Sequence, residues 1–135
     1  MVPGEKGKNG MKNILLVDDE QSLLDALSRT LERAGYRVET ALNGRLAMEL
    51  LSAQATDLVI TDLIMPEKEG IDLIMFLKSR QPNLPIIAIS GGGRNAPENY
   101  LSIAKALGAK DTLAKPFLNS ELLKVVENAL RVQSC

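Results

Sequence analysis

This chain has no histidine and no tryptophan, and its single cysteine, Cys135, is its last residue. Without histidine there is no Ser-His or Cys-His nucleophile, no imidazole metal ligand and no phosphohistidine on the chain itself. One cysteine cannot close an intramolecular disulfide, which agrees with a reducing compartment. Cys135 reads as an exposed thiol in a tail. Aromatics are 3% of residues, so the core must be built from Leu, Ile, Val and Ala. No apolar run approaches the ~20 residues that cross a bilayer. The opening MVPGEKGKNG has no apolar signal-peptide core. The formal net charge is −1 with no long basic run, which excludes the broad positive footprint of a nucleic-acid-binding domain.

What remains is an ordinary globular composition. The chain has 135 residues, 45% apolar and 24% charged, enough for one domain with a core that needs neither disulfide nor structural metal. Residues 1–10 read as a disordered polar tail, 11–132 as the domain and 133–135 as a C-terminal tail, with no output domain attached.

Short apolar runs alternate with amphipathic stretches. Ile14 to Val17 is a buried-strand candidate, followed by Leu23, Leu24, Leu27 and Leu31 at helical spacing and Gly35 as a stop. Tyr36 to Ala41 predicts a second strand, and Leu46, Ala47, Leu50 and Leu51 a second helix. Leu58 to Ile60 is a third strand; Ile71, Ile74 and Leu77 mark a third helix that stops before Pro82. Ile86 to Ile89 is a fourth strand, with a helix expected from Pro97 to Leu107. Thr112 to Ala114 is a fifth strand, and Asn119 or Ser120 is the expected cap of a last helix carrying Leu122, Leu123, Val126 and Leu130. Five strand–helix units in strict alternation predict an α/β fold: a doubly wound, five-stranded parallel sheet with helices on both faces.

Four of these strands run into polar groups: the first into Asp18 and Asp19, the third into Asp62, the fourth into Ser90, the fifth into Lys115. In a parallel sheet the carboxyl ends share one edge, where open α/β sheets bind ligands. Three converging carboxylates repel one another and call for a cation or raised pKa values. An all-oxygen acidic set suits Mg²⁺ or Mn²⁺ rather than zinc. Lys115, the Ser90 hydroxyl and the amides of Gly91 and Gly92 could face a phosphoryl group. Singly, each feature also has a plain reading. Asp18-Asp19 could be a helix cap, Asp62 a turn former, Ser90-Gly91-Gly92-Gly93 a loop and Lys115 a solvated charge. The loop lacks the GK[ST] ending of a nucleotide-binding P-loop. Asp57 precedes its strand and is expected at the opposite edge.

The ordered set Val17-Asp18-Asp19-Glu20, Asp62 with Met65-Pro66 and Gly70, Ser90, and Lys115-Pro116-Phe117 closely resembles response-regulator receiver domains of two-component signalling. The resemblance runs from about Lys12 to Leu130. It implies a flavodoxin-like sheet in the order 2-1-3-4-5, with Asp62 as phosphoacceptor. It implies Mg²⁺ held directly by Asp19, Asp62 and the Ile64 backbone carbonyl, and by Asp18 mainly through water. Ser90 and the Gly91 backbone would contact the phosphoryl group, and Lys115 would pair with Asp62 across a cis Lys115-Pro116 bond. The implied partners are a histidine kinase or histidine phosphotransfer protein, and an output partner or second copy on the face of the fourth helix, fifth strand and fifth helix. The implied protein is a cytoplasmic signalling module that catalyses only its own phosphorylation and slow dephosphorylation.

The chain departs from the family pattern in two places. Thr112 stands where the family often has an aromatic, and the segment from Ser90 to Pro97 is long and glycine-rich, so switching is expected to work by loop ordering. Ile64 and Gly92 lack polar side chains, which implies slow self-hydrolysis. Three other readings are a pseudo-receiver, a receiver excised from a longer transcriptional regulator, and an aspartate-nucleophile phosphatase. The last resembles DxDx[TV], whose second acid Asp62-Leu63-Ile64 lacks.

Overall fold

The computed structural model describes residues 11–63, 69–90 and 97–133. The expected roles of Ile64, Gly91 and Gly92, the Met65-Pro66 pair, Cys135 and residues 1–10 lie outside these.

Five strands alternate with five helices: β1 (Asn13–Val17), α1 (Gln21–Arg33), β2 (Arg37–Ala41), α2 (Gly44–Ala53), β3 (Leu58–Asp62), α3 (Glu69–Arg80), β4 (Ile86–Ser90), α4 (Pro97–Leu107), β5 (Asp111–Ala114) and α5 (Asn119–Gln133). The strands form one parallel sheet in the order β2-β1-β3-β4-β5, the expected topology.

Strand alternation sorts the core into two layers. Leu15, Val59 and Ala88 face Ala47 of α2, Leu73, Ile74 and Leu77 of α3, and Ala104 of α4. Ile14, Leu16, Ile60 and Ile87 face Leu24, Leu27 and Leu31 of α1, and Leu122, Val126 and Ala129 of α5. Strands β3 and β4 are buried at every residue, which explains why they read as apolar runs, Leu58–Ile60 and Ile86–Ile89, that turn polar at their carboxyl ends. Each fully buried Leu or Ile contributes about 1.5–3 kcal/mol relative to exposure.

Local signals set the helix ends. Gly35 stops α1 at φ +100°, with Gly35 N–H donating to Glu32 and Tyr36 N–H to Leu31. This Schellman arrangement needs the left-handed conformation that glycine adopts freely. Asn43 caps α2, its side chain accepting from Leu46 N–H at 2.9 Å. The last helix departs from expectation. Asn119 is its first residue, and the carbonyl of the preceding Leu118 accepts from Glu121 and Leu122. Glu121 then reaches back to the Leu118 N–H at 2.8 Å, so the third helical residue, rather than Asn119 or Ser120, satisfies the open amide. Asp57 sits at the amino edge as expected, accepting from Asn13 N–H at 2.8 Å.

Candidate functional site

The sheet reverses strand order at β1, which pairs with β2 on one side and β3 on the other. The crevice beyond the carboxyl ends of such strands is where open α/β sheets bind ligands. Asp18 directly follows β1 and Asp62 closes β3, in neighbouring strands registered Val17 to Thr61. Alternation extends the rows Ile14–Leu16 and Leu58–Ile60 to Asp18 and Asp62, and the Leu113 position of β5 to Lys115. Three distant residues are thereby aimed to one face of the sheet edge.

The side chains meet. Ligand oxygens of Asp18, Asp19 and Asp62 lie within 4.8 Å of one another. Asp18 and Asp62 are buried and Asp19 is exposed, so the cluster opens to solvent on one side. The Lys115 ammonium donates to Asp18 Oδ2 at 3.1 Å and to Asp62 Oδ2 at 3.2 Å. Its side chain is 21% exposed. Burial alone would lower the Lys115 pKa. The Asp62 and Asp18 carboxylates outweigh it by charge and hydrogen bonding, and hold the ammonium above its ordinary value. The other oxygen of Asp18, Oδ1, accepts from Glu20 N–H at 2.9 Å, which fixes the turn into α1.

Ser90 is fully buried at the end of β4. Its carbonyl accepts from Lys115 N–H at 2.8 Å, so β4 and the lysine-bearing end of β5 are tied together. The Lys115-Pro116 bond is cis, as the resemblance implied. Thr112 lies half-buried on β5, registered with Ala88.

The donor set fits a hard divalent cation. It offers carboxylate oxygens only, one of them from an exposed residue, and a single ammonium stands against three carboxylates. The described residues thus bring Asp18, Asp19, Asp62 and Lys115 into one cluster and place Ser90 at the same sheet edge.

Two residues at the site escaped the sequence reading. Thr61 is fully buried, and its hydroxyl donates to the Asp62 carbonyl at 3.0 Å. A hydroxyl inside a strand that is otherwise apolar was the available signal. Gly70, part of the motif but without an assigned role, packs against the Asp62–Leu63 backbone.

A family model described as "Response regulator receiver domain" matches residues 14–127. The DNA-binding transcriptional regulator NtrC of Rhizobium meliloti is 34% identical over 119 residues, 87% of this chain and 24% of that protein. The response regulator SaeR of Staphylococcus aureus is 34% identical over 120 residues, 89% of this chain and 51% of that protein. The chain therefore spans a quarter to about half the length of these relatives. The crystal structure of the receiver domain of NtrX from Brucella abortus superposes with a TM-score of 0.81 at 32% identity, covering 87% of this chain and 98% of that domain.

Proposed function

This chain belongs to the response regulator receiver domain family, and on that premise we propose that Asp62 is the residue on which it accepts its phosphoryl group. Receiver domains are phosphoryl-accepting signal modules rather than turnover enzymes, and they bind Mg²⁺ in an acidic pocket. The observation that carries the assignment is the Lys115 ammonium set between the buried Asp18 and Asp62 carboxylates, with Asp19 in the same cluster. This intact set favours phosphorylation over a pseudo-receiver role. No second acid follows Asp62 within two residues, which speaks against the phosphatase reading.

Asp18, Asp19 and Asp62, with the Ile64 carbonyl, would hold Mg²⁺, whose charge would be shared with the phosphoryl oxygens. An Asp62 carboxylate oxygen attacks phosphorus while the phosphorus–nitrogen bond of a donor phosphohistidine breaks. The electron pair leaves on the imidazole, and Asp62 becomes an acyl phosphate. The donor imidazole must come from another protein, because this chain has no histidine. A histidine kinase or histidine phosphotransfer protein is the matching donor. Lys115 exchanges its contact with the Asp62 carboxylate for one with the added phosphoryl oxygens. Ser90 Oγ and the Gly91 amide complete the anion's hydrogen bonds.

Phosphorylation adds close to two negative charges at Asp62. The Lys115 backbone is bonded to Ser90, so a pull on either group is felt by both β4 and β5. The α4–β5–α5 face would carry the response to an output partner or a second copy; Ile103 of α4 and Leu118, just before α5, are exposed large apolar residues. NtrC and SaeR are much longer than this chain, so an output unit of a larger regulator is one form that partner can take. We assign the receiver unit to residues 11–132, between flanking segments 1–10 and 133–135, with α5 running one residue past that boundary to Gln133. Among the described residues no helix is long and apolar enough to cross a membrane, which agrees with a cytoplasmic setting beside such a kinase. Transfer from a radiolabelled phosphohistidine donor tests the reading: the wild type should take up label and Asp62→Asn should not. Equal labelling of both would overturn it.

A further inference from the structure

The peptide linking Asp62 to Leu63 is held from three directions by groups outside the acidic cluster. Its carbonyl accepts from Thr61 Oγ1 at 3.0 Å. Its N–H, that of Leu63, donates to the Ile89 carbonyl at 2.8 Å. From α3, Gly70 lies directly against it. A methyl group on Gly70 would overlap the Asp62 carbonyl oxygen and come within 2.6 Å of Leu63 Cα. The three nearest atoms it would meet are all backbone, so none of them could swing aside.

Thr61 is 0% exposed and shares the sheet face of Val59. Valine would fill that space with no polar atom to satisfy. A buried hydroxyl is tolerated when it is hydrogen-bonded, and this one donates to the carbonyl of the phosphoacceptor residue. Gly70 packs close to the same carbonyl through the lack of a side chain. Phosphoryl transfer depends on positioning, and displacing a reacting group by about 1 Å can slow a reaction about 100-fold.

We propose that Thr61 and Gly70 are positioning residues. They lock the Asp62–Leu63 peptide between β3 and α3, and so fix the direction in which the Asp62 carboxylate meets Lys115 and its neighbours. The proposal rests on Asp62 being the phosphoacceptor. Neither residue touches the phosphoryl group.

The test uses the full chain, wild type and the variants Thr61→Val, Thr61→Ser and Gly70→Ala. Two readouts are taken: the rate of acyl-phosphate formation with acetyl phosphate and Mg²⁺, and the Asp62 side-chain and carbonyl ¹³C shifts without phosphodonor. Thr61→Val should keep the fold, slow labelling about fivefold, the worth of one hydrogen bond, and move both resonances. Thr61→Ser should restore rate and shifts. Gly70→Ala should slow labelling further; should it fail to fold, the Thr61 pair decides. Wild-type labelling and unmoved resonances in Thr61→Val, or no rescue by serine, would overturn the proposal. If the wild type takes no label, the functional reading fails. The clamp is then judged by the shifts alone: moved and rescued supports it, unmoved overturns it.

Discussion

Lys115 and Asp62, 53 residues apart in sequence, meet at 3.2 Å, and the same ammonium reaches Asp18 at 3.1 Å. One positive charge therefore stands between two buried carboxylates, with a third, Asp19, in the same cluster. The balance is incomplete in a way that suits an added divalent cation. The chain's own lysine keeps the acidic pair tolerable without one.

Removing that lysine should destabilise the fold. In Lys115→Met the Asp18 and Asp62 carboxylates lose their shared partner and repel each other at close range. A broken, largely buried ion pair costs about 3–5 kcal/mol; partial exposure of Lys115 reduces this to about 1–3 kcal/mol. Urea unfolding in EDTA should show the loss, and Mg²⁺ should recover more stability for the variant than for the wild type. Acyl-phosphate formation should fall about 10- to 100-fold, in line with the loss of an electrostatic stabiliser.

The Lys115 pair also sets an alkaline limit. Its pKa in the fold lies above the ordinary 10.5 because Asp62 and Asp18 outweigh the opposing effect of burial. The folded state thus holds this proton more tightly than the unfolded chain. The stabilisation is complete below pH 10.5 and is lost as pH rises through the higher folded-state value. The Tyr36 phenol, raised by burial and by Glu127, acts in the same direction. In metal-free buffer the urea midpoint should be flat from pH 8 to 10 and fall above it, and Lys115→Met should flatten that fall.

Asp19 should trade stability for metal binding. It is the exposed member of the acidic trio, and the Lys115 bonds go to Asp18 and Asp62. Asp19→Asn removes one like charge, so the thermal midpoint in EDTA should rise by about 3 °C. Binding of Mg²⁺ to the native state normally adds stability by mass action, and this gain should be lost in the variant. Thermal scans at several Mg²⁺ concentrations check both parts.

Glu121 should matter more than its exposed position suggests. Its carboxylate takes the Leu118 N–H at the start of α5. Glu121→Ala should cost about 0.5–1 kcal/mol, and Glu121→Gln, which keeps the acceptor, less. Chemical denaturation of both variants measures the difference.

The sequence made the fold legible because its strongest signals were geometric. Fully buried β3 and β4 appear as the apolar runs Leu58–Ile60 and Ile86–Ile89, and the polar edge begins just beyond each. The shared carboxyl edge of a parallel sheet then placed Asp18, Asp62 and Lys115 together without any knowledge of their contacts. Local chemistry was harder to read. Asn119 and Ser120 are good caps by residue type, yet the chain starts α5 one residue earlier and uses Glu121 instead. Thr61 drew no reading from the sequence, because what its hydroxyl does depends on the carbonyl geometry one residue on. Gly70 could be placed in a motif, but its tight approach to Asp62 arises only when α3 packs on the end of β3.

The most direct test of the central claim is to map the acyl phosphate formed from acetyl phosphate, with Mg²⁺ and with EDTA. We expect one phosphoryl group per chain, on Asp62, formed with Mg²⁺ and absent from the EDTA sample. Label on another residue, or equal label at Asp62 in EDTA, would contradict the account.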